Sequence, residues 1–361
     1  MRPRTNELST LLSSQGADAF FGWDPITLGY LHGFNEGAGE RFSTLAVHAD
    51  GRSSMICPAL SVNQATRAGI TNIRSWKDGE DPLVLFAQLA AEWNLKSSII
   101  TVDAEMPARM LLAMQHALPG ALFRQSDAVL AALMRIKKQD EIAALRRAAV
   151  VADQAFPAAL AALKPGVTEN EIDYVLRTEM RRLGGTPAFS IVAAGANGAE
   201  PHHLSDNTVI KDGDVVIMDF GCDVDGYMSD ITRTVCVGKP SDEAISVYKH
   251  VYDAHMGARD RIQVGVACEM VDRAARTVID QAGYGEFFFH RTGHGIGMKI
   301  HEAPFIVNGN QEPLSVGECF SIEPGIYLAG KFGVRIENIV TVTQSGHDSL
   351  NDEPSPFLLQ V

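Results

Sequence analysis

Two stretches of this chain repeat one another, and the repeat dictates the architecture more than any other feature. Gly213-Asp214-Val-Val-Ile-Met-Asp219 aligns with Gly317-Glu318-Cys-Phe-Ser-Ile-Glu323. In both, a Gly-acid turn leads into an apolar strand that an acidic residue closes at the same offset, the mark of an internal duplication. The segments before them repeat too. Ile142, Leu145, Ala149 and Ala152 recur at the helical period between Gln139 and Leu163, and Pro165-Gly166 stops that helix. Thr168-x-x-Glu171 forms a capping box ahead of Ile172, Val175, Leu176, Met180 and Leu183, and Gly184-Gly185 ends the second helix. The later copy has a helix from about Ser241, a stop at Val264-Gly265, and a helix through Met270, Val271, Ala274 and Val278 that ends near Gly283.

Acidic residues occupy corresponding places in the two copies. Asp219 and Asp230 lie symmetrically about Val224-Asp225, and Asp225-Gly226 signals a turn. A chain that folds back there brings the two carboxylates opposite each other, with Cβ atoms roughly 4.5–5.5 Å apart. Glu323 and Glu337 lie symmetrically about Gly330 in the turn-like stretch Ala329-Gly-Lys-Phe-Gly333. Halves packed about a pseudo-twofold axis would bring all four acids together. Buried like charges repel and raise one another's pKa unless a cation compensates. Oxygen-rich ligation without thiolate suits manganese, cobalt, iron or zinc, and bridging carboxylates favour two ions roughly 3.5–4 Å apart.

A nitrogen ligand is expected from the run His290-Arg-Thr-Gly-His294-Gly-Ile-Gly-Met-Lys-Ile-His301, where glycines on both sides of His294 let the backbone approach a metal. His290 and His301 then remain to touch substrate. The run is neither H-E-x-x-H nor G-x-G-x-x-G, because Met298 takes the place of the last Gly. His202 and His203 precede the first acidic hairpin, and Arg335, two residues before Glu337, shares its strand face.

The length of 361 residues suits two domains, and the 46% hydrophobic and 21% charged content is that of a soluble globular chain. The first stretch alternates strands and helices (AFFGWD, FSTLAVHADGR, PLVLFAQLAAEW, SSIITVDA), so a smaller α/β domain is expected at 1–134 and a larger one at 135–361. No apolar run approaches the ~18 residues of a membrane span, and the start lacks a secretion segment. Five scattered cysteines read as reduced thiols, which places the protein in the cytoplasm. A net charge of -13 without a Lys/Arg cluster argues against nucleic acid as a partner.

The segments MDFG, GYMSDITRT, HRTGHGIGMKIHE, FSIEPGIY and GVRIENIV resemble the pita-bread metallopeptidases: methionine aminopeptidase, aminopeptidase P and prolidase. The resemblance runs from about Met134 to the C-terminus. The first domain resembles the creatinase-like domain of prolidases and aminopeptidases P, mainly through the domain order and Leu31-His-Gly-Phe34. It implies an α/β two-domain fold whose pita-bread domain carries a pseudo-twofold repeat. It also implies metal ligands Asp219, Asp230, His294, Glu323 and Glu337, with Asp230 and Glu337 bridging both ions. His202 and His301 match positions that hydrogen-bond substrate and the scissile carbonyl, His290 a wall of the proline pocket, and Arg335 a residue beside the cluster. No ligand position is substituted.

The implied activity is hydrolysis of the bond before proline by a hydroxide shared between two divalent metals, manganese foremost, with Glu323 moving the proton and His301 stabilising the oxyanion. The expected enzyme is a homodimeric Xaa-Pro dipeptidase. An aminopeptidase P acting on longer peptides and an inactive pita-bread binding module are the alternatives; a metal-free creatinase-like enzyme lacks the full ligand set, and other metal-dependent relatives act on small non-peptide substrates. The choice of substrate length is expected to depend on N-terminal loops such as Asn35–Arg41, with Arg41 a candidate for the proline carboxylate.

Overall fold

Val-, Ile- and Phe-rich runs in the first third of the chain pair into one mixed sheet in the computed structural model, which describes residues 4–37 and 39–361. Residues 1–3 and Ala38 lie outside the description, and with them the first residues of the chain and the middle of the loop before Arg41. The chain divides into two compact units, Met1–Met134 and Arg135–Val361.

In the first unit, β1 (Ala19–Gly22), β2 (Thr44–His48), β3 (Ser53–Pro58), β4 (Ile73–Trp76), β5 (Ile99–Val102) and β6 (Leu122–Gln125) hydrogen-bond in the order β4-β3-β2-β1-β5-β6. β1 pairs antiparallel with β2 and parallel with β5. Helices α1 (Thr5–Ser14), α2 (Pro25–His32), α3 (Val62–Arg67), α4 (Pro82–Glu92), α5 (Ala108–Ala117) and α6 (Asp127–Met134) accompany them. The start of α4 shows why they form where they do. Asp81 accepts from the Leu83 N–H, and Pro82 takes a first-turn place where its missing N–H costs nothing. The helix then buries Phe86, which meets Phe21 of β1 edge-on with ring centroids 5.2 Å apart.

The second unit realises the repeat. Its strands are β7 (Thr186–Ala194), β8 (Val215–Val224), β9 (Tyr227–Met228), β10 (Ile231–Cys236), β11 (Gly293–Gly295), β12 (Glu302–Ile306), β13 (Cys319–Ile322), β14 (Gly325–Leu328), β15 (Phe332–Arg335), β16 (Asn338–Thr343), β17 (Gly346–Ser349) and β18 (Leu359–Gln360). Helices α7 (Gln139–Ala162) and α8 (Glu169–Arg182) pack on the sheet β18-β10-β8-β7. Helices α9 (Asp242–Asp260) and α10 (Cys268–Gln281) pack on β12-β11-β13-β16-β17. α8 starts at the capping box, where Thr168 Oγ1 accepts from Glu171 N–H at 3.2 Å and the Glu171 carboxylate from Thr168 N–H at 2.7 Å. It buries Ile172, Leu176 and Met180 beside Val216, Met218 and Phe220 of β8. α10 buries Val271, Ala275 and Ile279 in one core with Phe320 and Ile322 of β13. Each buried Ile, Leu or Met side chain contributes about 1.5–3 kcal/mol, enough for the apolar faces to fix both helix pairs. The halves meet where Glu337 N–H donates to the Thr232 carbonyl at 3.1 Å, a lone bridge beside β10.

Two expectations need correction. Asp219 does not close its strand: Phe220 and Gly221 continue the β8 ladder to Val224, whereas Pro324, with no N–H to donate, ends β13 before Glu323. The first hairpin is also offset from the symmetric reading. Val224 pairs with Tyr227, and Asp225 (φ 55) and Gly226 (φ 84) form the two-residue turn, both in the left-handed region that suits Asp-Gly. Asp219 therefore faces Thr232, and Asp230 is its diagonal neighbour, on the same face because the offset is even. The second hairpin keeps the expected centre, with Gly325 opposite Arg335 and Leu328 opposite Phe332.

Candidate metal centre

Asp219 comes from the middle of β8, Asp230 from the residue before β10, His294 from β11, Glu323 from the end of β13 and Glu337 from the link between β15 and β16. Their ligand atoms fall into overlapping groups within 4.8 Å: Asp219, Asp230 and Glu337; His294, Glu323 and Glu337; and Asp230, His294 and His301. All five candidate ligands and His301 thus share one site. Asp230, His294 and Glu337 are buried, and the cluster opens on a cavity of ≈ 1140 Å³ that His202, His290, His301 and Arg335 also line.

The glycines around His294 have a different reason than metal approach. A Cβ on Gly293 would come within 1.8 Å of the Ser321 carbonyl oxygen, and one on Gly295 within 2.2 Å of that of Ala303. They let β11 pass close between its neighbours, which delivers His294 to the site indirectly.

The donor chemistry of the cluster calls for cations. The His294 Nδ1 lies 3.1 Å from the Gly295 carbonyl, which can only accept, so Nδ1 carries a proton and Nε2 is left to give a cation its lone pair or, in the cation-free protein, to hold a second proton. That lone pair faces Glu323 Oε1 at 3.2 Å and Asp230 Oδ2 at 3.6 Å. Asp219 Oδ1 and Glu337 Oε1 are buried with no hydrogen-bond partner among the described residues. Such groups are expensive to bury alone, and a divalent cation satisfies them together. An oxygen-rich set with one imidazole fits two hard-to-borderline ions.

Titration behaviour agrees. Burial, reinforced by neighbouring carboxylates, pushes Asp230 and Glu337 well above the usual carboxylate range. Burial raises Asp219 as well, against the opposing pull of Arg335. Glu323 goes the other way: burial would raise it, but in the cation-free protein the hydrogen bond and charge of His294 protonated at Nε2, with Arg335, outweigh that and hold it at about 2. Raised acids bind more protons folded than unfolded, so the cation-free protein loses stability as pH rises from the unfolded carboxylate range through the folded values. Bound cations hold these acids ionised and remove that loss. The melting temperature of chelator-stripped protein is therefore expected to fall between pH 5 and pH 8 relative to that of reloaded protein, so that the gap between them widens with pH. A gap that stays constant would mean that the acids do not share a cation site.

The surrounding groups are built to hold the ligands. Arg335, fully enclosed, donates from Nη2 to Asp219 at 2.6 Å, from Nε to Thr232 Oγ1 at 3.1 Å, and from Nη1 to the Tyr327 hydroxyl at 2.9 Å and the Pro201 carbonyl at 3.4 Å. Thr232 Oγ1 in turn donates to Glu337 at 2.7 Å. Ser321 Oγ donates to Glu323 at 2.9 Å and accepts from His294 N–H at 3.0 Å. Because Arg335 can only donate, the Tyr327 hydroxyl donates its hydrogen bond to His290 Nε2 at 2.9 Å, and His290 Nδ1–H donates to the Arg291 carbonyl at 2.7 Å. Both His290 nitrogens are thus engaged, and its ring surface is what the cavity meets. Burial, with His294 and Arg291 alongside, holds the His301 imidazole down at about 4, so it is neutral at pH 7.

Sequence reasoning missed Thr232, Ser321, Tyr327 and Arg291. The period of two offered a signal for two of them: Thr232 follows Asp230 by two residues and Ser321 precedes Glu323 by two. His203 points away from the reaction: its Nε2 meets the buried Glu169 carboxylate at 2.8 Å, which also accepts from Ala194 N–H and Asn197 and so ties down the loop bearing His202. Arg41 belongs to the first unit, where acids already engage it, Asp78 at 3.1 and 3.2 Å and Glu40 at 3.1 Å. The five cysteines are buried and free, and among the described residues no helix is long and apolar enough to cross a membrane.

Comparison with known proteins gives the same direction. Residues 143–344 match metallopeptidase family M24, and residues 4–136 match the creatinase/prolidase N-terminal domain. The probable dipeptidase PepE of Mycobacterium tuberculosis is 36% identical over 360 residues, 97% of this chain and 95% of the relative. A Xaa-Pro dipeptidase of Lactobacillus helveticus is 34% identical and covers 94% of both chains. The crystal structure of recombinant prolidase from Thermococcus sibiricus superposes with a TM-score of 0.95 at 34% identity, over 99% of this chain and 98% of that one.

Proposed function

The chain belongs to metallopeptidase family M24, and from that membership we propose that it hydrolyses the peptide bond before proline in Xaa-Pro dipeptides, with Asp219, Asp230, His294, Glu323 and Glu337 holding two divalent cations. The observation that carries this reading is the convergence of four carboxylates and an imidazole lone pair with buried carboxylate oxygens left unpartnered. The bound cations supply Lewis acidity to the scissile carbonyl and to the attacking water. Glu323 takes the proton released by the water and delivers it to the leaving proline nitrogen, which has no N–H of its own in the peptide. Neutral His301 donates its N–H to the oxyanion, and Arg335 holds Asp219 in place. Manganese is taken as the cation on the oxygen-rich donor set. A homodimer in the cytoplasm completes the reading, and sedimentation of the loaded protein tests the assembly.

Arg291 supports a dipeptide rather than a longer substrate. It lines the cavity, its guanidinium is 4.9 Å from the Phe305 ring centroid, and no carboxylate pairs with it among the described residues. A cation parked on an aromatic ring, with no acid holding it, suits the free carboxylate of a C-terminal proline. Hydrogen bonds to charged groups account for roughly 10–100-fold in affinity. Arg291→Ala is therefore expected to lower kcat/KM on a Xaa-Pro dipeptide by about that factor, with a smaller loss on the same peptide extended by several residues. Efficient cleavage of the extended peptide by the parent enzyme, with the dipeptide cut poorly, would make it an aminopeptidase and leave the metal chemistry intact.

A further inference from the structure

The duplication repeats a second device besides the acids. Asp173 and Arg177 fall seven and eleven residues after Gly166, and Asp272 and Arg276 fall seven and eleven after Gly265. Each pair is an i,i+4 ion pair on the second helix of its half, with Arg Nε to Asp at 2.8 Å in α8 and 2.7 Å in α10. Each arginine also reaches off its helix to a backbone carbonyl of the segment that follows. Arg177 Nη2 donates to Ser190 at 3.3 Å, between Phe189 and Ile191, which line the cavity. Arg276 donates from Nη1 to the Phe288 carbonyl at 2.9 Å and from Nη2 to the His290 carbonyl at 2.5 Å, and its guanidinium lies 4.4 Å from the Phe288 ring centroid.

We propose that the Asp272–Arg276 pair is the positioning device for the cavity wall formed by Phe289, His290 and Arg291. The two copies differ in what they hold. Ser190 belongs to β7, whose ladder with β8 fixes it without help. Residues 288–292 lie outside any strand, between a 3-10 turn and β11, so the carbonyls of Phe288 and His290 have no sheet partner, and the guanidinium supplies one. Asp272, with no exposed surface, secures the far end: its Oδ1 accepts from Thr292 Oγ1 at 2.7 Å and from Thr292 N–H at 3.2 Å. Residues 288, 290 and 292 are thus gripped at every second position, and Phe289, His290 and Arg291 are held against the cavity. The candidate ligands are carried by β8, β11, the residues beside β10 and β13, and the link after β15, and the segment meets them where Glu323 N–H donates to the Thr292 carbonyl at 2.8 Å. Arg276 grips residues 288 and 290, away from that bond, so it acts on substrate fit and not on the cation ligands.

This inference rests on the cavity being the substrate site of the proposed dipeptidase, and the experiment separates the two. Arg276→Met is expected to raise KM for a Xaa-Pro dipeptide about tenfold with kcat changed less than about threefold, and to keep the parent's cation content. Arg276→Lys, which retains a donor, should recover part of the loss. Arg177→Met, which breaks the equivalent ion pair beside a strand that needs no help, should leave KM within about twofold. Hydrogen exchange of the peptide covering residues 288–292 should quicken in Arg276→Met and Arg276→Lys and stay at the parent rate in Arg177→Met; this readout needs no substrate. Unchanged exchange and KM in the Arg276 variants, a fall in kcat that tracks lost cation, or an equal rise in KM for Arg177→Met would overturn the inference. Should Arg276→Met fail to fold, exchange and KM in Arg276→Lys decide. If the parent hydrolyses no Xaa-Pro peptide, the dipeptidase reading fails, and the exchange measurement still decides the positioning role.

Discussion

Asp230→Ala is expected to leave purified protein with at most one divalent cation per chain and to lower kcat/KM by roughly 10³-fold or more. Asp230 is the one acid that belongs both to the group with Asp219 and Glu337 and to the group with His294 and His301. Removing it therefore subtracts a ligand from both sides of the cluster at once. Lewis-acid stabilisation amounts to several kcal/mol, and each 1.36 kcal/mol is a tenfold change in rate, which sets the expected size. The fold should survive. Asp230 lies outside the β10 ladder, its carboxyl is pushed far upward by burial and neighbouring acids, and its deletion relieves that repulsion in the cation-free state. Elemental analysis beside circular dichroism tests this. Two cations per folded chain with full activity would remove Asp230 from the site.

Most of the site was legible because the chemistry sits at strand positions, where a period of two converts spacing into geometry. The ladder of β14 and β15 is centred on Gly330, as the spacing of Glu323 and Glu337 just beyond its ends predicts. The first hairpin turns one residue later than the acids suggest, which shifts its cross-strand register by two, because Asp225-Gly226 takes the turn as a left-handed pair, a preference stronger than the symmetry of the acids. The error was harmless for the site, since an even shift keeps side chains on one face. The first unit was the harder part to read. Its short strands β4 and β6 are partly exposed and carry Arg74, Arg124 and Gln125, so no alternation announced them.

What the spacing could not reveal is the layer of groups that hold the ligands. Thr232, Ser321 and Tyr327 are ordinary strand residues by sequence: the crossing of the two hairpins, at the bridge between Thr232 and Glu337, makes Thr232 a partner of Arg335 and Glu337, packing within the second half brings Tyr327 to His290, and Ser321 reaches Glu323 along its own strand. Sequence gives each half its own ligands. Ser321 apart, the contacts that orient them come from the other half or from a neighbouring strand, and such contacts depend on packing, which local pattern does not encode.

Glu323→Gln carries the other large expected effect, a fall in kcat of about 10²–10⁴-fold, the usual contribution of a positioned general base, with KM changed far less. The substitution keeps size and shape. The amide oxygen can still accept from Ser321 Oγ, which donates to Oε1 at 2.9 Å, so the side chain stays where it is. It loses the ability to take a proton. In the parent protein Glu323 stands apart from the other acids: Arg335, with protonated His294 in the cation-free protein, overcomes burial and keeps its carboxyl ionised, whereas Asp230 and Glu337 are pushed up. An ionised carboxylate that borders the cavity is the form a proton acceptor requires, and glutamine has no such form at any pH. Since Glu323 is also a candidate ligand, cation content must be measured on the same preparation. With two cations retained, a low kcat and near-parental KM place the loss in proton transfer. Near-parental kcat with both cations bound would sink the assignment of Glu323 as the proton carrier, and a kcat that recovers fully with excess cation would reduce its role to that of a ligand.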